Sequence, residues 1–215
     1  MTQELQKPDQ VETVGNIGLY STRDFEHTMR VAKMFSGSNL VPKEYQGNIA
    51  NTTIALDLAG RLKANPLMVM QNLHIIHGRP SWSSKFLISA INQSGKFSAI
   101  RYKEDGKGDQ ATCMAWAQEL ATGEVLEGVQ ITMAMAKAEG WIDKNGSKWK
   151  TMPALMLRYR SASFFVNQYA PELTMGLPTE DEVRDVVDAE IVEAPKTVKP
   201  EKGMEGLNGM LGDLK

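Results

Sequence analysis

The spacing of apolar residues changes at Phe97 from helical to alternating, which limits the chain to folds that lay down helices and a sheet in largely separate stretches. Before the switch, Phe25, Met29, Val31 or Ala32, and Phe35 predict a helix from Asp24 that Gly37 and Ser38 stop. Tyr45, Ile49, Thr52, Thr53 and Leu56 predict a longer one from Pro42 to about Lys63. Asn65-Pro66 restarts a short helix with Leu67, Met70 and Leu73 inward, since Asn caps well and Pro suits a first turn. His74 to His77 reads as a strand turning at Gly78-Arg79-Pro80 into Ser81 and Trp82, and a helix from Ser83 or Ser84 to Gln93 closes at Ser94-Gly95.

After the switch, strands are predicted at 97–103, 111–119 and 125–135, with a polar turn over 105–109. In the last strand Val129, Ile131 and Met133 alternate with Gln130, Thr132 and Ala134, the pattern of one buried face. A loop tip at 144–147 precedes a helix from Thr151–Pro153 to about Tyr169, and Thr179 with Glu182 forms a capping box on a short acidic helix. The expected fold class is α+β: a small antiparallel sheet of three main strands plus a short hairpin, packed with about five helices and flanked by flexible termini. Residues 1–23 read as an N-terminal arm, 24–188 as one core domain, and 189–215 as a flexible acidic tail of linker composition with Met204, Leu207, Met210, Leu211 and Leu214 near its end.

Net charge is uninformative until the chain is divided. Residues 1–171 hold 19 Lys/Arg against 15 Asp/Glu, whereas 172–215 hold 5 against 11, so a basic body carries an acidic end. The basic excess is concentrated. From Gly140 to Phe165, Trp141, Lys144, Lys148, Trp149, Lys150, Arg158, Tyr159, Arg160, Phe164 and Phe165 are interrupted by one acid, Asp143. From 79 to 103, Arg79, Lys85, Lys96, Arg101 and Lys103 are interrupted by none. Cations beside flat rings suit a nucleic-acid strand, because they neutralise phosphates while ring faces stack on bases of any sequence. The competing expectation is ordinary: Trp and Phe at helical spacing are usually core, and Lys usually solvates a surface. Core packing is the expected role of Phe164 and Phe165.

Other chemistry lacks its parts. No Gly-x-x-x-x-Gly-Lys-Ser/Thr element is present, so nucleotide cradling by a P-loop has no support. His74 and His77 are three apart on an expected strand and so point to opposite faces, with no acidic or Cys companions nearby to complete a metal site. Glu104 and Asp105 fall in a turn, and Glu180, Asp181 and Glu182 cap a helix, which is not the carboxylate cluster of a metal-dependent nuclease. The single cysteine, Cys113, sits in strand-like alternation and is expected to be a buried thiol. No catalytic residue, metal or cofactor is therefore expected. No signal sequence and no apolar run of membrane-spanning length is present, so a cytoplasmic location is expected.

Several motifs, in order, resemble the bacteriophage RecT/Redβ family of single-strand annealing recombinases, the RecT branch most closely, over roughly residues 38–188. They are Leu40-Val41-Pro42-Lys43-Glu44-Tyr45-Gln46-Gly47-Asn48, Asn65-Pro66 through Gly78-Arg79-Pro80-Ser81-Trp82-Ser83, and Ser94-Gly95-Lys96-Phe97. The closing block is Trp149-Lys150-Thr151-Met152-Pro153 into Met156-Leu157-Arg158-Tyr159-Arg160-Ser161-Ala162, then Gly176-Leu177 and the acidic stretch 179–187. The resemblance implies an α+β core, protomers side by side in rings or helical filaments, a basic groove for DNA and no nucleotide hydrolysis.

By position it implies DNA contacts at Lys148, Lys150, Arg158 and Arg160, with Arg79, Lys85, Lys96 and Lys103 as additions and Trp149 or Tyr159 stacking on bases. Some relatives carry basic residues immediately after the proline, where this chain has Ala154 and Leu155. Arg158 and Arg160, two apart on a helix, are separated by about 200° in azimuth, so both cannot face one strand and one is expected to pair with a carboxylate. The expected function is ATP-independent binding of single-stranded DNA and annealing of complementary strands in phage homologous recombination, inside the host bacterial cell. Expected partners are single-stranded and annealed duplex DNA, other copies of the chain, and a phage exonuclease or host single-strand-binding protein through the tail. The alternative is a non-annealing accessory protein whose basic patches bind another protein.

Overall fold

The computed structural model describes residues 21–144 and 146–185. Six helices and two antiparallel sheets make up an α+β fold: α1 (Thr22–Ser36), α2 (Ile49–Leu62), α3 (Pro66–Asn72), β1 (Leu73–Ile76), β2 (Arg79–Trp82), α4 (Ser84–Gln93), β3 (Arg101–Asp105), β4 (Thr112–Gln118), β5 (Val125–Thr132), α5 (Met133–Ala138) and α6 (Pro153–Tyr169). A further helical segment occupies 180–185. None of the helices among the described residues is long and apolar enough to cross a membrane. The predicted arm over 1–20 and the tail from 189 lie outside the described residues.

Local chemistry sets the helix starts. Ser21, Asn48, Asn65 and Ser83 each accept a backbone N–H of the helix that follows, satisfying donors left orphaned in the first turn. That corrects the expected start of the second helix: residues 42–48 form turns in which Tyr45 is buried and donates its hydroxyl to Leu73 O at 2.7 Å, and the helix begins only after the Asn48 cap. Burial raises the Tyr45 phenol far above its ordinary value. In α1 the buried face is Thr28, Ala32 and Ser36, while Phe25 is 44% exposed rather than inward. The β1–β2 hairpin turns through His77 and Gly78, both at positive φ, as a tight hairpin of right-handed strands requires.

β3, β4 and β5 form the main sheet in sequence order. A bulge accounts for one difference from the alternation pattern. Met114 pairs with Gln130 but Trp116 pairs with Glu127, so Gly128 and Val129 of β5 together oppose Ala115 of β4, a bulge. The bulge rotates Val129 outward, to 45% exposure, while Ile131 stays buried. Thr132 then caps α5 with its side chain, which ends the strand before the predicted 135. At the other edge, β3 begins at Arg101, and Phe97 makes an isolated bridge to Glu119 instead of extending the strand.

Helix α6 covers one face of the sheet and belongs to both hydrophobic clusters. Ala162, Phe165 and Val166 join Leu56, Met70, Trp82, Leu87 and Ile91, while Leu157 joins Cys113, Ile131, Met133, Trp141 and Trp149. The Cys113 thiol is pushed up to about 11 by burial, which makes it a packing residue. Close docking of α6 depends on small residues. The Ala115 N–H donates to Ser161 Oγ at the bulge, and Gly128 lies under Phe165, where an added Cβ would stand 3.3 Å from the ring. Phe165 is fully buried and has little room to yield, so Gly128→Ala is expected to destabilise by about 1–3 kcal/mol in chemical denaturation, with an unchanged m-value.

Candidate nucleic-acid interface

The loop between α5 and α6 is pinned by its own tryptophan. Trp149 is 4% exposed and packs on Trp141 with ring centroids 5.4 Å apart, and the Lys148 carbonyl accepts the N–H groups of Thr151 and Met152. Burying Trp149 turns its neighbours Lys148 and Lys150 outward, where both are exposed. The expectation that Trp149 stacks on bases is corrected: its ring is core, packed into the smaller cluster with Cys113, Ile131, Met133, Trp141 and Leu157.

Arg158 and Arg160 leave α6 on different sides, as the helical repeat requires, and each meets a carboxylate. Arg158 is bidentate to Glu104 at 2.6 and 2.8 Å, and this contact lowers the Glu104 carboxyl from its ordinary value. The pair is about half exposed and is worth about 1 kcal/mol at most. Arg160 is 4% exposed, sits over the Trp141 ring at 4.0 Å and reaches Asp185 at 2.5 Å. It is a structural cation, so its expected place lining a DNA groove is corrected: the guanidinium is spent on Trp141 and Asp185.

The remaining cations divide in the same way. Lys96 pairs with Glu172 at 2.5 Å, Lys103 with Glu127, and Lys150 with Asp143 at 3.3 Å, while Arg79, exposed at the start of β2, has a partner as well. Lys85 and Lys148 are exposed and form no ion pair among the described residues. Lys85 stands in the first turn of α4, which has no acid to offset it, so its charge opposes the helix dipole and gains nothing from local structure.

These two lysines share one cleft of about 400 Å³, walled by α4, β1 and α6, with the half-buried Tyr159 and Met156, one turn apart on α6, beside them. A second cleft of about 400 Å³ adjoins it through Lys148 and Met156 and continues to Lys144 and Arg184. Two free ammonium groups, a tyrosine ring and the donors of Gln71 and Asn72 make the first cleft able to hold a phosphodiester with an adjacent base. Three features escaped the linear reading: Lys144 held by Asp185 at 2.6 Å, His74 placed 3.7 Å from Glu180, and the acidic segment 180–185 folded against the basic loop. Among the described residues no group of three or more His, Cys, Asp or Glu could hold a metal ion.

Protein-family models, curated proteins and solved structures were all compared with the chain, and none matches it. Arg160 and Lys148 are expected to behave oppositely on substitution. Arg160→Gln breaks a buried pair and should cost about 3 kcal/mol, whereas Lys148→Ala should stay within about 0.5 kcal/mol of the parent, both read from urea midpoints at constant m.

Proposed function

We propose that the protein binds single-stranded DNA through its phosphates and anneals complementary strands without nucleotide hydrolysis. One observation carries this reading: of the three window cations that form no ion pair among the described residues, Lys85, Arg101 and Lys148, two, Lys85 and Lys148, converge on one cleft beside Tyr159, while Arg101 lines neither cleft. Ammonium groups at a cleft neutralise phosphate and release counterions, and a half-buried ring gives a base a stacking face without reading its identity. Lowered repulsion between two coated strands then makes pairing effectively intramolecular. The ordered motifs that resemble RecT/Redβ proteins support the same reading, as does the missing P-loop.

In this account protomers act side by side in a ring or filament in the cytoplasm of the host bacterium, and the acidic tail recruits an exonuclease or a single-strand-binding protein. The rival reading, an accessory protein that binds an acidic protein surface, draws on the ion pairing that occupies Lys96, Lys103, Lys150, Arg158 and Arg160.

Salt dependence and annealing separate the two. Affinity for oligonucleotides of mixed composition should fall steeply with salt and little with sequence, and complementary strands should anneal without ATP. Lys85→Ala with Lys148→Ala should lower the log–log salt slope by about 1.4, the single-strand value for two phosphate contacts, and slow annealing. Lys96→Ala with Lys103→Ala should change both little. Salt-independent binding, or a Lys85/Lys148 variant equal to the parent, would sink the proposal.

A further inference from the structure

The wall that the two clefts share is acidic. Glu180 and Asp181 line both clefts and Asp185 lines the second. The segment that carries them is fastened down: Trp82 N–H donates to Pro178 O at 2.9 Å, Thr179 and Val183 are buried, and Thr179 and Glu182 cap one another. Asn167 Nδ2 also donates to Glu182 at 3.0 Å. These carboxylates are therefore a fixed part of the clefts.

Two of the three are matched. Asp185 holds Arg160 and Lys144, and Glu180 holds Arg184 at 2.8 Å with His74 at 3.7 Å. Asp181 forms no ion pair among the described residues and is only partly open to solvent. The charged and titratable groups that share the clefts with it are Glu180, Arg184 and Asp185 of its own segment, Tyr159 and Arg160 of α6, and Lys144 and Lys148 of the loop. His74 of β1 and Lys85 of α4 complete the set. Burial pushes the Asp181 carboxyl up, and Glu180 and Asp185 add to the rise against the opposing pull of Arg160 and Arg184.

We propose that the cleft is a proton-linked polyanion site, in which a phosphodiester strand seated at Lys85 and Lys148 is bound together with a proton on Asp181. The inference rests on the strand-binding reading of that cleft. A phosphate brought to Lys148 adds negative charge beside a part-buried carboxylate that no direct ion pair holds, so binding favours the neutral acid. The neutral acid also supplies an O–H donor to a phosphate oxygen, where the carboxylate offers acceptors alone. The sign follows from linkage. The bound state holds more protons, so affinity rises as pH falls through the interval between the Asp181 pKa of the free protein and its higher value in the complex. Protonation of His74 would act in the same direction, and the test separates the two groups.

Binding of fluorescent oligothymidylate, whose bases do not protonate in mild acid, is measured at constant ionic strength from about pH 8 to about pH 5. The parent should gain about 3- to 10-fold in affinity as pH falls, up to the tenfold per unit that uptake of one proton allows. Asp181→Asn should keep the tight, low-pH affinity throughout, and His74→Gln should retain the parent's pH profile. An Asp181→Asn profile that follows the parent, a His74→Gln profile that is flat, or a flat parent profile would each overturn the proposal. Should the Asn variant not fold, calorimetry of the parent in buffers of different ionisation enthalpy reads proton uptake directly: about one proton supports the proposal and none overturns it. Loss of all binding at every pH would reject the strand-binding reading itself, and the proton linkage with it.

Discussion

The docking of α6 on the bulged sheet is the contact on which the rest of the molecule depends. A bulge interrupts the β4–β5 ladder, the Ser161 hydroxyl accepts the Ala115 N–H there, and Phe165 seals Gly128 from above. Ser161 is the small residue that meets β4 there, and its neighbours Ala162 and Ser163 are buried as well. Because α6 is a wall of both hydrophobic clusters, its position also fixes where Met156, Tyr159 and Arg160 emerge, and therefore where the clefts lie. The site is a consequence of backbone packing around one helix.

Electrostatics divides the basic residues into two populations that the sequence presents as one. Arg160 is a buried cation whose guanidinium is shared between an aromatic face and a carboxylate, an arrangement that resists removal of either partner. Lys96, Lys103, Lys150 and Arg158 sit in exposed pairs that cost little to break. A polyanion can compete for exposed pairs of that kind, and at Lys85 and Lys148 it has no ion pair to displace, although Glu180 and Asp181 line the same cleft. The acidic segment 180–185 is the counterweight: it brings carboxylates against the same loop and makes the charge of the clefts sensitive to the protonation of a single group.

Most of the fold was legible because local signals agreed with one another. Asn65-Pro66, Ser83, the Ser94-Gly95 stop and the Thr179–Glu182 capping box each marked an element end that the structure has, and period-two alternation located the three-stranded sheet. The misplaced pieces were those decided by tertiary contact. Tyr45 reads as a helical residue but is held in a turn by Leu73, and Val129 reads as inward but is turned out by the bulge. The site was less legible for a related reason. An acid-free window guarantees no nearby carboxylate along the chain, yet Glu104 reaches Arg158 across 54 positions and Glu172 reaches Lys96 across 76. Spacing along α6 did foresee that Arg158 and Arg160 would separate, because that geometry is local.

Acylation of lysines by an amine-reactive ester, read residue by residue in mass spectra with and without single-stranded DNA, tests the central claim most directly, since it reports where a strand lies without substituting any residue. The account predicts strong protection of Lys85 and Lys148 on adding DNA, with Lys96 and Lys103 reacting as before. Protection of Lys96 and Lys103 with Lys85 and Lys148 unchanged would contradict it, and would move the strand off the cleft.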